Sequence, residues 1–188
     1  VEIFFGNGRI ERIGELAEKL GCKKGLLVSD PFFAGNGLTD RLEKGSKGAL
    51  QGVFSNVSSN PDVTEVDECA RVLREGGYDF VAALGGGSAM DCAKAASMTA
   101  MTEHSIRKYH GTGESVPAEH LPLIAVPTTA GTGSEVTCVS VLTDHANGKK
   151  TPIVSDSFYP AYALIDPQLT YSMPPAVTAG TGIDVLPH

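Results

Sequence analysis

Residues 78–101, YDFVAALGGGSAMDCAKAASMTAM, decide how the rest of this chain is read. A short apolar run, Phe80 to Leu84, stops at Gly85-Gly86-Gly87. Ser88 follows, and then a helical pattern rich in Ala and Met. The stretch reads as a buried strand, a tight glycine turn and a helix N-terminus. Such a turn suits a phosphate, because glycine lets the backbone come close and the first helical N–H groups point at the anion. Ser88 can cap the helix and still offer its hydroxyl. An ordinary strand-to-helix turn capped by Ser88 is the alternative. The spacing is not G-x-G-x-x-G, since Met90 stands where the third glycine would be, and it is not a P-loop.

Upstream, Glu2 to Phe5 reads as a strand closed by Gly6-Asn7-Gly8. Arg9 to Leu20 carries a helical apolar stripe with Gly21 as its stop signal. Lys24 to Ser29 is a second strand, running into Asp30-Pro31. An acid at the end of such a strand can hydrogen-bond an adenosine ribose or cap a helix. A short helical piece, Leu38 to Leu42, precedes a third strand, Leu50 to Phe54. Asn60-Pro61-Asp62 is a turn, and Asp62 with Glu65 forms a capping box for a helix reaching Gly76-Gly77. Strands and helices alternate, which predicts an α/β fold: a Rossmann-like parallel sheet with helices on both faces.

Downstream, Thr102 to His120 reads as a loop whose histidines, His104, His110 and His120, face solvent. Pro122 to Val126 is a strand that runs into a second glycine-hydroxyl segment, Pro127 to Glu135. Glu135 to Thr143 and Thr151 to Val154 form a hairpin around Asn147-Gly148. Tyr162 to Ile165 is a last strand, and the chain turns helical from Pro174-Pro175. G-x-G recurs six times, so that pattern alone decides nothing. Two glycine-rich loops that each follow a strand carry more weight, because ligands bind at the carboxyl ends of parallel strands. Asp184 and His188 are four apart, a spacing that serves either a helical metal site or a surface pair. Pro187 fits a helix there only if the helix begins near Asp184.

Composition narrows the function classes. The 188 residues are 41% apolar, with 15 Lys and Arg against 22 Asp and Glu and a net charge of −7. No basic cluster marks a nucleic-acid binder, and no apolar run has the length of a membrane span. No signal peptide is read, and Val1 is not a start methionine. Cys22, Cys69, Cys92 and Cys138 are scattered, which suggests a reducing, cytoplasmic setting and small buried side chains.

Four segments together are similar to one family. GGGSAMDCAK (85–94), PLIAVPTTAGTGSEVT (122–137), DPQLTYSMPP (166–175) and TGIDVLPH (181–188) resemble the iron-dependent, group III alcohol dehydrogenases, and the likeness runs from FFGNG (4–8) onward. The resemblance implies an N-terminal, dehydroquinate synthase-like NAD-binding α/β domain over residues 1–180. Residues 181–188 would begin a helical metal-binding domain that this chain lacks. Asp30 would hold the adenosine ribose and favour NAD over NADP, because a carboxylate repels a 2′-phosphate. Asn60 would help hold the adenosine end. Gly86, Gly87 and Ser88 would cradle the diphosphate. Thr128, Thr129 and Thr132 would line the phosphates and the nicotinamide ribose, and Lys150 would lie near the cofactor.

By the same resemblance Asp184 and His188 would be two of four ligands to a divalent metal, Fe2+ or else Zn2+. The other two, histidines of the helical domain, are not in this chain. Pro187 departs from the family, which has a small hydroxyl residue there. The whole enzyme would exchange hydride between NAD and a small alcohol or aldehyde, the metal acting as Lewis acid on the alcohol oxygen. It would form a homo-oligomer, and the isolated chain would bind metal weakly or not at all and turn nothing over. Three other readings stand beside this one: a zinc-dependent glycerol dehydrogenase, a dehydroquinate synthase-like lyase, and a non-catalytic nucleotide-binding fragment.

Overall fold

A computed structural model describes residues 1–185. Six strands form one parallel sheet: β1 (Glu2–Phe5), β2 (Gly25–Ser29), β3 (Leu50–Phe54), β4 (Phe80–Gly85), β5 (Leu123–Pro127) and β8 (Tyr162–Ile165). Their order across the sheet is β1-β8-β5-β4-β2-β3. Strands β6 (Val139–Asp144) and β7 (Lys149–Val154) make a separate antiparallel hairpin. The helices are α1 (Ile13–Lys19), α2 (Pro31–Gly35), α3 (Leu38–Gly45), α4 (Val63–Gly76), α5 (Gly87–Thr99) and α6 (Pro175–Asp184). The expected α/β sheet with helices on both faces is the fold observed. Among the described residues no helix is long and apolar enough to cross a membrane.

The central strand β4 shows why. Every residue of Phe80–Gly85 is buried, as a parallel strand covered on both faces requires. Successive side chains alternate between two cores. Val81 and Ala83 join Leu26, Val28, Leu123 and Ala125 beneath α4 and α5. Phe80, Ala82 and Leu84 join Leu27, Ile124, Val126 and Leu164 beneath α1 and α3. Phe80, Val81 and Leu84 have no exposed surface, and each such side chain contributes roughly 1.5–3 kcal/mol of transfer free energy.

The topology opens a crevice beside β4. From β2 the chain passes to α2 and α3, whose Phe33 and Leu42 lie in the second core. From β4 it passes to α5, whose Met90 and Ala93 lie in the first. Neighbouring strands that send the chain to opposite faces leave a gap at their carboxyl ends, the usual ligand position in such sheets. Ser29 pairs with Leu84 there, so Asp30 and Gly85 stand at its two rims.

Several local expectations need correction. Arg9–Arg12 is a 3-10 turn, so the first α-helix starts at Ile13. The helix that Asp30 would cap is present: α2 starts at Pro31, whose fixed φ suits the first helical turn. Thr102–His120 is not wholly open loop, since Ile106–Tyr109 forms a 3-10 turn with Ile106 and Tyr109 buried. His110 is 5% exposed, its Nε2 3.0 Å from the Leu142 carbonyl oxygen, because the hairpin folds over it; His104 and His120 are exposed as expected. The capping box is only half formed. Asp62 accepts from Thr64 N–H, but Glu65 accepts from the Ser58 N–H instead of reaching back.

Candidate functional site

The glycine turn delivers an open helix end to the crevice. Gly86, in extended conformation, is the N-cap of α5 and has no side chain with which to cap it. The amides of Gly87, Ser88 and Ala89 therefore have no intrahelical acceptor. Ser88 is not the cap expected from sequence, because it lies inside the helix; its Oγ donates to the Ser59 carbonyl at 2.7 Å. Each glycine has a spatial reason. A Cβ at Gly85 would lie 2.7 Å from the Ala89 Cβ, and φ there is +150°. At Gly86 it would meet the Thr129 Oγ1 at 3.3 Å, and at Gly87 the Thr132 Cγ2 at 3.3 Å. The glycines thus let the threonine loop approach the amides closely.

The threonine loop follows β5. The Oγ1 atoms of Thr128 and Thr129 are buried and have no partner among the described residues. An unpaired buried hydroxyl is costly, and these two border the cavity beside the open helix end, where a bound polar group would pair with them. Thr132 Oγ1 accepts from the Ser134 N–H at 3.3 Å.

Asp30 is a helix cap, one of the two readings its sequence position allows. Its Oδ1 caps α2, accepting from the Phe32 and Phe33 amides at 2.9 and 3.2 Å. Its Oδ2 has no protein partner among the described residues. Across the crevice, Lys150 Nζ donates to Asn60 Oδ1 at 2.7 Å, tying β7 to the turn before α4.

Two cavities enclose these groups. One, of about 550 Å³, holds Asp30, Gly86, Thr128 and Thr129 beside the apolar walls of Phe32, Phe33, Val57 and Val177. The other, of about 620 Å³, holds Asn60, Gly87, Thr132, Lys150 and Asp184. They share Ser59 and Ser88, so both open onto the first turn of α5. All nine residues expected to touch a cofactor line one or the other. The concave shape, apolar walls and few convergent polar groups are those of a small-molecule site.

The expected metal pair is only half visible. Asp184 is the last residue of α6, so the helix does not begin there, and the condition set by Pro187 is not met within the described chain. His188 lies outside the described residues. Among those described, no three His, Cys, Asp or Glu side chains come together as a metal set. One exposed carboxylate does not hold a divalent ion, so the described residues do not fit the metal by themselves.

Sequence reading missed a buried polar cluster behind the loop. Lys94 has no exposed surface, and Asp91 one turn before it lines the second cavity. Burial raises the Asp91 carboxyl, and it pushes the Lys94 ammonium down to about 8. The available signal was an acid and a lysine three residues apart in a helix of otherwise small or apolar residues.

A family model described as iron-containing alcohol dehydrogenase matches residues 1–167. The crystal structure of a sulfoacetaldehyde reductase from Bifidobacterium kashiwanohense in complex with NAD+ is 56% identical and superposes with a TM-score of 0.97, covering 99% of this chain and 50% of that one. The NAD-dependent methanol dehydrogenase of Bacillus methanolicus is 35% identical, over 97% of this chain and 48% of its own length. The sulfoacetaldehyde reductase of Bilophila wadsworthia is 36% identical, over 100% of this chain and 49% of its own length. The chain spans about half the length of the relatives it matches.

Proposed function

This chain belongs to the iron-containing alcohol dehydrogenase family, and from that premise we propose that it is the NAD-binding half of an oxidoreductase interconverting an alcohol and an aldehyde. The observation that carries the reading is the uncapped N-terminus of α5 between two cavities, faced by the partnerless hydroxyls of Thr128 and Thr129. NAD supplies the hydride exchange when bound. The chain's own residues bind and orient it. The Gly87 and Ser88 amides, in the turn begun by Gly86, hold the diphosphate. Asp30 Oδ2 accepts from the adenosine ribose while Oδ1 keeps α2 capped. Thr128, Thr129 and Thr132 line the phosphates and the nicotinamide ribose, and Asn60 and Lys150 close the opposite wall.

Residues 1–180 form the cofactor domain in this proposal, and 181–188 begin a second one, with α6 leading into it. Asp184 and His188 serve a divalent metal, iron before zinc, only together with ligands from that second domain. Self-association of the longer protein belongs to the same reading, supported by the unpaired outer edge of β1, where Ile3 and Phe5 are 54% and 67% exposed. Four free cysteines support a cytoplasmic setting.

Titration with NADH tests the reading. Binding by this chain without turnover, and its loss in Asp30→Ala, supports it. Unchanged affinity in Asp30→Ala removes the ribose assignment, and turnover by the chain alone contradicts the need for a second domain. The 56% identity to a sulfoacetaldehyde reductase favours a second, narrower reading, a small aldehyde bearing a sulfonate. In the longer protein, faster reduction of sulfoacetaldehyde than of butyraldehyde supports it; the reverse order removes it.

A further inference from the structure

Lys94 takes no part in the cofactor contacts above, yet its surroundings connect to them. Its Nζ donates to Ser134 Oγ at 2.8 Å, to the Val139 carbonyl at 2.9 Å and to Thr137 Oγ1 at 3.2 Å. An ammonium has three protons, and each has an acceptor. All three acceptors lie on the segment directly after the threonine loop. Asp91 grips the same segment from the same helix. Its Oδ1 accepts from Ser134 Oγ at 2.8 Å and its Oδ2 from the Val141 N–H at 3.0 Å. The Ser140 Oγ donates to the Asp91 carbonyl at 2.8 Å. Ser134 thus donates to Asp91 and accepts from Lys94, so one hydroxyl is fixed by two charged groups.

From Ser134 the connection to the cleft is short. The Ser134 N–H donates to Thr132 Oγ1 at 3.3 Å, and Thr132 stands where a Cβ on Gly87 would meet it at 3.3 Å. We propose that Lys94 is a positioning residue for the cofactor cleft: with Asp91 it holds residues 134–141 against α5 and so fixes Thr128 to Thr132 across from the Gly86–Ser88 amides. The proposal rests on the cleft being a cofactor site. A buried ammonium costs desolvation that a leucine or methionine would not, and removing one partner of a buried charged network leaves the others exposed to that cost. The spacing of the acceptors also explains why the helix carries a lysine at a fully buried position: a long side chain with three donors reaches three acceptors on one segment.

The test compares Lys94→Met with Leu73→Ala, a buried variant of α4 in the same core that lines neither cavity. Leu73→Ala lowers the melting temperature and leaves NADH affinity within about twofold. Lys94→Met weakens NADH binding about tenfold in protein that remains folded by circular dichroism, the loss of a charge-assisted bond. The effects of Lys94→Met and Thr132→Ala on NADH binding are non-additive, as expected for residues acting through one loop. Wild-type affinity in folded Lys94→Met, or equal losses in the two core variants, overturns the proposal. Should Lys94→Met fail to fold, Thr137→Val removes one acceptor at constant shape. Because Thr137 also lines the second cavity, the readout there is amide exchange of residues 128–134: faster exchange supports the proposal, and unchanged exchange overturns it. Should the wild type not bind NADH, the cofactor reading itself fails, and amide exchange of residues 128–134 decides the positioning role. Faster exchange in the Lys94 or Thr137 variant supports it, and unchanged exchange overturns it.

Discussion

Helices α4 and α5 start at the same edge of the sheet and pack side by side, yet their first turns are opposites. Asp62 closes α4: its Oδ1 accepts from the Thr64 N–H at 2.9 Å and its Oδ2 from the His145 N–H at 3.0 Å. A carboxylate satisfies the free amides there and complements the positive end of the helix. Gly86 leaves α5 open, with the helix end facing two cavities and a loop of unpartnered hydroxyls. A closed start is a stability device. An open one gives up that stabilisation, and in the proposed function its amides serve an anion from outside the chain. The contrast separates a residue that folds the protein from one that equips it.

Building the α4 solution into α5 should break the contrast with the largest effect. Gly86 has φ −84° and ψ −165°, which any residue can adopt. Gly86→Asp should cap α5, a gain set against the 3.3 Å approach of its Cβ to Thr129 Oγ1, and leave the melting temperature near wild type. NADH affinity should fall by about a hundredfold, because a carboxylate would occupy the anion's place, a difference of roughly 2–3 kcal/mol. Calorimetric titration beside thermal unfolding reads both. Gly87→Val should come next, losing about tenfold or more in affinity as its branches meet Thr132. Unaltered binding there would show that the threonine loop yields.

The opposite change concerns α4. Asp62→Ala should cost about 1–2 kcal/mol in denaturant unfolding, with NADH affinity changed by less than about threefold. Its pH dependence follows from the direction of its shift. Burial alone would raise the Asp62 carboxyl, but the Thr64 hydroxyl and the His145 and Thr64 amides outweigh it and hold it below the ordinary value. A depressed carboxyl stabilises the fold above its unfolded pKa and loses that contribution as pH falls through the folded one. The stability gap between wild type and Asp62→Asn should therefore be full at neutral pH and close in acid. The smallest effect is expected at Ser88. Ser88→Ala removes one exposed bond to the Ser59 carbonyl and should change stability by less than about 1 kcal/mol, without uncapping α5.

The sheet was legible because its signals are local and redundant. The apolar run Phe80–Leu84 and the stops at Gly6, Asp30, Gly77 and Gly85 mark the elements in chain order. The glycine turn was legible as a strand-to-helix junction for the same reason, though its letters left an anion site and an ordinary turn equally open, and Ser88 as the cap was wrong. Contacts set at long range were hidden. Nothing near Glu65 says that Ser58 will take its carboxylate, and nothing near His110 says that the hairpin will bury it. Lys94 needed both α5 and the segment forty residues later before its three acceptors could be seen. Asp30 was legible as a cap or a ribose ligand, but a string of letters cannot say that the cap uses only Oδ1 and leaves Oδ2 without a partner among the described residues.

Amide NMR of the labelled chain, with and without NADH, tests the central contrast most directly. The open helix start should answer the cofactor: the Gly86, Gly87 and Ser88 resonances should move strongly, while those of Val63, Thr64 and Glu65 at the capped start of α4 stay in place. Equal movement at both helix starts, or movement at α4 alone, would contradict the account.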